Sequence, residues 1–390
     1  MIERDCANVI RTLADRYPVI TLTGPRQAGK TTLCRMVFPD LPYANLERPD
    51  IRACASGDPN AFLADYPAGA VIDEFQRVPE LASYIQAIVD EPGFGGTYLL
   101  TGSQNLTVRN TVSQSLAGRS ALFELLPFSC NEAWQFVGAE RTDELIWRGF
   151  FPRIYDRGLE PVQAYADYVG TYVERDLRLL SPIRDLPVFQ TFIGLCAGRI
   201  GQLLNLESLG NDTGVAQSTA REWMSLLEAS YLTFRLSPFF ANISKRLIKS
   251  PKLYFYDVGL AAHLIGITEP GQLATHPLRG PLCENLVVVE TMKFFLNQGR
   301  RQRLLFYRDS NGNEVDLLIP RAHEWVPVEI KSAATVTSAL FKGIDRFGQA
   351  VPDVADPMLV CEADGERIQN GVHVLNLQGL ARALRVRFGQ

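Results

Sequence analysis

Gly24-Pro25-Arg26-Gln27-Ala28-Gly29-Lys30-Thr31 sets a glycine, four residues and then Gly-Lys-Thr in one stretch. That is the spacing of a phosphate-binding loop. Each residue type has a physical reason. Glycines let backbone N–H groups curl round phosphate oxygens without a Cβ in the way. A helix opening near Lys30 and Thr32 points the positive end of its dipole at the anion. Lys30 then bridges the β- and γ-phosphates of ATP, and the Thr31 hydroxyl ligates Mg²⁺. Arg26, inside the loop, is a candidate contact to phosphate or substrate. A chance match in a turn is disfavoured, because the pattern follows the apolar run Val19–Thr23 and opens a helix.

Val71-Ile72-Asp73-Glu74 is an apolar strand ending in two acids. Asp73 is placed to hold Mg²⁺ through water, and Glu74 to orient or deprotonate an attacking water. A GTPase would carry an Asn-Lys-x-Asp base-reading motif, which is absent. The adjacent acids favour ATP. Tyr98–Thr101 is a third strand, ending in Gly102-Ser103-Gln104. If it neighbours the Asp73 strand, Ser103 or Gln104 can hydrogen-bond the attacking water or the γ-phosphate. Arg119 reads either as a surface arginine or as a finger reaching a neighbour's γ-phosphate, which requires a homo-oligomer.

A second constellation lies near the C-terminus. Glu284 sits on a helix with the apolar stripe Leu282, Leu286, Val289, and Asp316 on the second strand of a hairpin turned at Asn311-Gly312. Glu329 and Lys331 share one face of the next strand, since side chains alternate with period two. Such carboxylates can hold Mg²⁺, and a lysine can activate water or steady a phosphate. A structural ion pair on a sheet is the other reading.

Between the two, Asn205–Leu209 and a helix carrying Ala220, Trp223, Met224 and Leu227 flank Gly210 and Gly214, the plan of a helix-turn-helix. Thr219–Glu222 fits a capping box. Gln217, Ser218, Arg221 and Ser225 would be exposed. Arg235, Lys245, Arg246, Lys249 and Lys252 follow with no acid between residues 229 and 256, a stripe suited to a phosphate backbone. A protein-binding module is the alternative. Arg300, Arg301, Arg303 and Arg308 form another basic group.

Strands alternating with helices up to about residue 130 indicate parallel βαβ units, the α/β class. The chain then reads as helical, with short helices and little strand signal over 188–250, and as α+β after Pro251. At 390 residues it is long enough for several cores. A net charge of −4 argues against a globally basic nucleic-acid-coating protein. No run of 18 apolar residues exists, so no membrane span is expected. The acidic N-terminal residues do not resemble a signal peptide. Seven scattered cysteines and four separated histidines exclude a disulfide framework or zinc ribbon and fit a reducing, cytoplasmic setting.

Taken in order, these motifs resemble the prokaryotic AAA-type ATPases whose C-terminal domain is related to PD-(D/E)XK nucleases. Thr23–Leu33, Val71–Glu74, Leu100–Ser103, Leu116–Arg119, Tyr172–Asp176, Lys249–Leu260, Gly280–Leu286, Glu314–Asp316 and Glu329–Lys331 carry the likeness. One departure is Arg148, where the pattern has a glycine before Gly149. The resemblance implies an AAA core with a parallel sheet over residues 1–130 and a small helical lid over 131–185. A winged-helix-like module over 186–250 and a nuclease-like α+β domain over 251–390 would follow. The expected function is a cytoplasmic Mg²⁺-dependent ATPase coupled to nucleic acid, with DNA the favoured partner and no membrane. The alternatives are an ATP-gated switch with a protein partner, and a metal-dependent nuclease gated by ATP.

Overall fold

Val19–Thr23 (β1) is buried along its whole length in the computed structural model, which describes residues 2–103, 115–138, 141–176, 183, 185–239 and 250–389. It is buried because it is internal. With β2 (Tyr43–Asn45), β3 (Val71–Asp73), β4 (Tyr98–Gly102) and β5 (Ser120–Glu124) it forms a parallel sheet in the order β2-β3-β4-β1-β5. Both faces are covered, so the strands read as apolar runs. Ile20 and Leu22 pack with Ile10 and Leu33 from the helices Ala7–Ala14 and Lys30–Val37. Val19, Ile72 and Leu100 pack on the other face with Phe62, Leu81 and Ile85. The α/β reading of this part holds. The carboxyl ends of β1, β3 and β4 meet at one edge, where open α/β sheets gather ligands.

The described residues from Cys130 to Asp176 are mainly helical. Ser129 and Glu132 form a reciprocal capping box on the helix Cys130–Val137. Helices Thr142–Arg148, Pro152–Asp156 and Pro161–Tyr168 follow, the last continuing as π-helical turns over Val169–Asp176. Gly149 has φ +62°, and a Cβ there would lie 1.8 Å from the Tyr165 hydroxyl oxygen, so this position of the turn admits only glycine.

The helices Leu206–Thr213 and Gln217–Ala229 bracket a turn closed by Gly214 at φ +78°. The expected capping box at Thr219 does not form. The second helix begins at Gln217 behind Ala216, which places Thr219 inside its first turn. Gln217, Ser218, Arg221 and Ser225 are exposed, while Trp223, Met224 and Leu227 are buried.

The expectation of little strand over 188–250 needs correcting. Thr233–Pro238 (β6) is a strand, paired antiparallel with β7 (Lys252–Phe255). Both join β8 (Leu305–Arg308), β9 (Glu314–Arg321), β10 (Glu324–Ile330), β11 (Met358–Val360), β12 (Arg367–Gln369) and β13 (Val372–Leu375) in one mixed sheet. Its order is β12-β13-β11-β10-β9-β8-β6-β7. The boundary expected at 250/251 thus falls between two strands that pair with each other. Helices Arg279–Asn297 and Leu377–Phe388 cover one face of this sheet. Phe347, from Lys342–Ala350, packs on the other. Among the described residues no helix is long and apolar enough to cross a membrane.

Candidate functional site

Gly24 follows β1 directly and has φ +149°; a Cβ on it would lie 2.0 Å from the Leu125 carbonyl oxygen. The loop therefore runs tight against the end of β5. Gln27 and Gly29 also have positive φ, at 65° and 90°. Gly29 begins the Lys30–Val37 helix with no side-chain cap, which leaves first-turn N–H groups for an anion. Lys30 is buried, and its ammonium donates to the carbonyl oxygens of Gly24 at 2.9 Å and Pro25 at 2.8 Å. Burial pushes Lys30 down to about 8, against the opposing charges of Glu74 and Asp73.

Asp73 is the meeting point of three strands and the loop helix. Its Oδ2 accepts from Thr31 Oγ1 at 2.8 Å and from the Tyr43 hydroxyl at 2.6 Å. Its Oδ1 accepts from Thr101 Oγ1 and from the Glu74 N–H at 3.2 Å. The Thr101 contact exists because β4 lies between β1 and β3. Glu74 sits at φ +55°, and Gln76 Nε2 donates to its Oε2 at 2.5 Å. Burial raises its pKa, with Lys30 opposing, which suits a carboxylate that must accept a proton. Ser103 is buried one residue beyond Gly102, which pairs with Thr23 across β1 and β4, so it lies level with the loop. Gln104 lies outside the described residues.

Thr31 and Asp73 thus present a hydroxyl and a carboxylate oxygen side by side, a hard donor pair that fits Mg²⁺. A cleft of about 280 Å³ opens beside them. Arg26, Gln27, Lys30, Thr31, Thr32 and Glu74 line its polar end, and Ile2, Met36, Phe136 and Pro152 its apolar part. Ala28 is buried and does not line it. Its carbonyl accepts from Arg4 at 2.9 Å, while Arg4 is itself ion-paired with Glu132 at 2.8 Å. The Arg26 guanidinium lies 5.9 Å from the Tyr172 ring centre.

Sequence reasoning missed Thr101, Tyr43 and Arg4. A buried threonine in an apolar strand was the one available signal for Thr101.

Arg119 stands elsewhere. Its carbonyl accepts from Val19 N–H at 3.3 Å, at the opposite end of β1 from the loop. Its guanidinium pairs with both carboxylate oxygens of Asp90, at 2.5 and 2.7 Å. The full length of β1 separates it from the phosphate site of its own chain, so a finger role requires a second copy.

The C-terminal residues converge. Lys331 Nζ lies 2.7 Å from Glu329 Oε1 and 3.1 Å from Asp316 Oδ2, so all three share one face of the sheet. Glu284 and Glu314 join Asp316, with ligand atoms within 4.8 Å of one another. The space between them is filled by a residue that sequence reasoning assigned to an exposed basic stripe. Lys252, 2% exposed, places its ammonium 2.7 Å from Glu284, 2.5 Å from Glu314 and 3.8 Å from Asp316. Burial would lower Lys252, but the charges of Glu284, Asp316 and Glu314 outweigh it and hold it above the lysine range. Burial, helped by the charge of Asp316, pushes Glu284 up to about 7 and Glu329 up to about 8. The carboxylates alone would suit Mg²⁺. With Lys252 among them, the residues present do not fit a resident divalent ion.

The basic stripe is corrected accordingly. Lys252 is internal, and Arg235 is paired with Glu228. Lys245, Arg246 and Lys249 lie outside the described residues. In the second basic group, Arg301 pairs with Glu124, Arg308 with Glu314, and Arg300 donates to the Phe388 carbonyl.

Comparison with known proteins supports an AAA domain in the N-terminal part. Residues 16–134 match the family model described as AAA domain. Residues 139–271 and 279–380 match two families described as domains of unknown function, DUF8612 and DUF4143. Among solved structures, the Walker-type ATPase paby2304 of Pyrococcus abyssi is 13% identical, over 68% of this chain and 96% of that one, with a TM-score of 0.45. A single-substitution variant of RuvB from Thermotoga maritima is 18% identical, over 59% and 86%, with a TM-score of 0.29. Two mycobacterial proteins, "Uncharacterized protein Mb2031c" of Mycobacterium bovis and "Uncharacterized protein Rv2008c" of Mycobacterium tuberculosis, are each 33% identical over 335 residues, 85% of this chain and 74% of theirs. The chain belongs to the family of these two proteins, and its N-terminal part carries a nucleotide-binding AAA domain.

Proposed function

We propose that this chain is a Mg²⁺-dependent AAA-type ATPase that binds and hydrolyses ATP. The observation that carries this reading is the convergence on Asp73. One carboxylate accepts from Thr31 of the loop helix and from Thr101 of β4, with the half-buried acid Glu74 next to it. Gly24 to Thr32 hold the phosphates, with Lys30 as their charge partner. Thr31 and Asp73 hold Mg²⁺, which supplies charge neutralisation for the phosphates. Glu74 takes the proton of the attacking water, and Ser103 reports the γ-phosphate. Glu74→Gln should bind nucleotide as the wild type does and hydrolyse it at least roughly 100-fold more slowly, since the amide accepts no proton. Lys30→Ala should lose binding. Undiminished hydrolysis by Glu74→Gln sinks the assignment.

ATP turnover is coupled, in this reading, to nucleic acid, with DNA first. Support comes from the two helices around Gly214, their exposed Gln217, Ser218, Arg221 and Ser225, and the β6–β7 pair that follows as a wing. A rate that does not respond to single-stranded, duplex or branched DNA favours a protein partner instead. A homo-oligomer is part of the proposal only through Arg119, and sedimentation of Glu74→Gln with and without ATP decides it. The C-terminal part is read as nuclease-like because Lys331 joins Asp316 and Glu329 on the sheet, and Glu284 reaches Asp316 from the Arg279–Asn297 helix.

A further inference from the structure

Lys252 lies on β7, between β6 and the isolated bridge it makes with Leu203. Its side chain crosses toward β8, where the ammonium stands 5.5 Å from the Phe306 ring centre. Glu284 reaches the same point from the Arg279–Asn297 helix, and Glu314 and Asp316 from β9. The Tyr254 hydroxyl, two residues along β7, also donates to Glu284. Two of the three ammonium protons have carboxylate acceptors at hydrogen-bond distance, and a third carboxylate lies close by. A buried ammonium so surrounded is costly to uncover, because its desolvation is not recovered elsewhere.

A divalent ion would need the same oxygens. It would also stand next to a fixed positive charge. The charges around the position are nearly matched already. Glu284, Glu314, Asp316 and Glu329 face Lys252, Lys331 and Arg308, the last paired with Glu314 at 2.8 Å. A net field strong enough to draw in a dication is therefore missing.

We propose that Lys252 is the built-in cation of this cluster, standing where a nuclease of this architecture would hold its metal, so that the C-terminal domain keeps its form without divalent ions and is closed to them. The inference rests on the nuclease-like reading only for the identity of the expected ligand.

Mn²⁺ binding to the nucleotide-free full chain, followed by electron paramagnetic resonance, tests it. The wild type and Asp316→Asn should bind Mn²⁺ equally, because neither has a cluster site. Lys252→Met should gain a site tighter by roughly 10-fold or more, lost again in Lys252→Met/Asp316→Asn. If Lys252→Met does not fold, Lys252→Met/Glu314→Gln removes one charge of each sign and keeps Glu284 and Asp316 as carboxylate ligands. It should gain the site as well. A wild-type Mn²⁺ site that disappears in Asp316→Asn overturns the proposal. So does a folded Lys252→Met/Glu314→Gln chain that gains none. Cleavage of labelled DNA by the Mn²⁺-loaded double variant is a separate readout. Its absence alongside a gained metal site sinks the nuclease-like reading and leaves the role of Lys252 standing.

Discussion

Tyr231 donates its hydroxyl proton to Thr23 Oγ1 across 3.0 Å, and Thr23 is the residue immediately before Gly24 of the phosphate loop. The two are 208 residues apart in sequence. Tyr231 sits at φ +59°, just before β6, and its ring meets Tyr256 edge-on with centroids 5.4 Å apart. Tyr256 in turn contacts Phe234 of β6 at 4.9 Å. The end of β1 is therefore joined through aromatic packing to the edge of the second sheet, where Lys252 is anchored.

Tyr231→Phe keeps the ring and removes the bond. Its expected cost is about 1 kcal/mol of stability, the ordinary net worth of one hydrogen bond. The larger effect should be on communication. In the wild type, ATP should slow amide hydrogen exchange over Thr233–Leu236, and Tyr231→Phe should blunt that response while leaving nucleotide affinity nearly intact. An equal ATP response in both chains would show that the bond is only local support.

Thr101→Val should weaken Mg²⁺ use. The substitution is close in shape, so it leaves no cavity, but Asp73 loses a donor inside a buried site. A hydrogen bond to a charged acceptor contributes roughly 1.5–3 kcal/mol. The variant should need more Mg²⁺ for half-maximal hydrolysis, or lose rate at saturating Mg²⁺. A Mg²⁺ titration of ATP hydrolysis superimposable on the wild type would make Thr101 a packing residue.

Gly24→Ala should abolish nucleotide binding by displacing the loop. The added methyl would lie 2.0 Å from the Leu125 carbonyl oxygen, at a φ that side chains rarely adopt. Gly29→Ala is the instructive comparison. Its Cβ meets nothing closer than 3.6 Å, so strain in φ is the main cost, and it should retain more affinity than Gly24→Ala. Equal losses, measured with a fluorescent nucleotide, would mean that conformation and not the Leu125 contact decides both.

The loop, the Asp73–Glu74 pair and the strands β8 to β10 were legible in the sequence because each is a local pattern. Spacing fixes the loop, and period-two alternation puts Glu329 beside Lys331. What escaped was set by distant partners. Thr101 and Asp73 are 28 residues apart, and Lys252 and Glu284 are 32 apart. No window of sequence contains both and tells which side chain faces which. Its basic neighbours in sequence place Lys252 in a stripe suited to a phosphate backbone. Burial among three carboxylates reverses that meaning. The strand β6 escaped for a related reason, since its partners β7 and β8 come later in the chain and tertiary pairing outweighs the helical pattern before it.

Nucleotide binding should take up a proton at mildly alkaline pH. Lys30 is held down to about 8 because its ammonium is buried in the loop. Bound phosphates favour the charged form, so its pKa in the complex lies above that in the free protein. Between the two values the complex carries more protons than the free chain. Affinity should then be flat below about pH 7 and fall as pH rises through about 8, by up to about tenfold per unit. Isothermal titration calorimetry of Glu74→Gln in buffers of different ionisation enthalpy reads the uptake directly, without turnover and without the Glu74 carboxyl. Lys30→Arg keeps the charge at every accessible pH and should remove the uptake, whatever it does to affinity. Uptake that persists in Lys30→Arg would trace the proton to another group, and Lys30 would then be charged in both states.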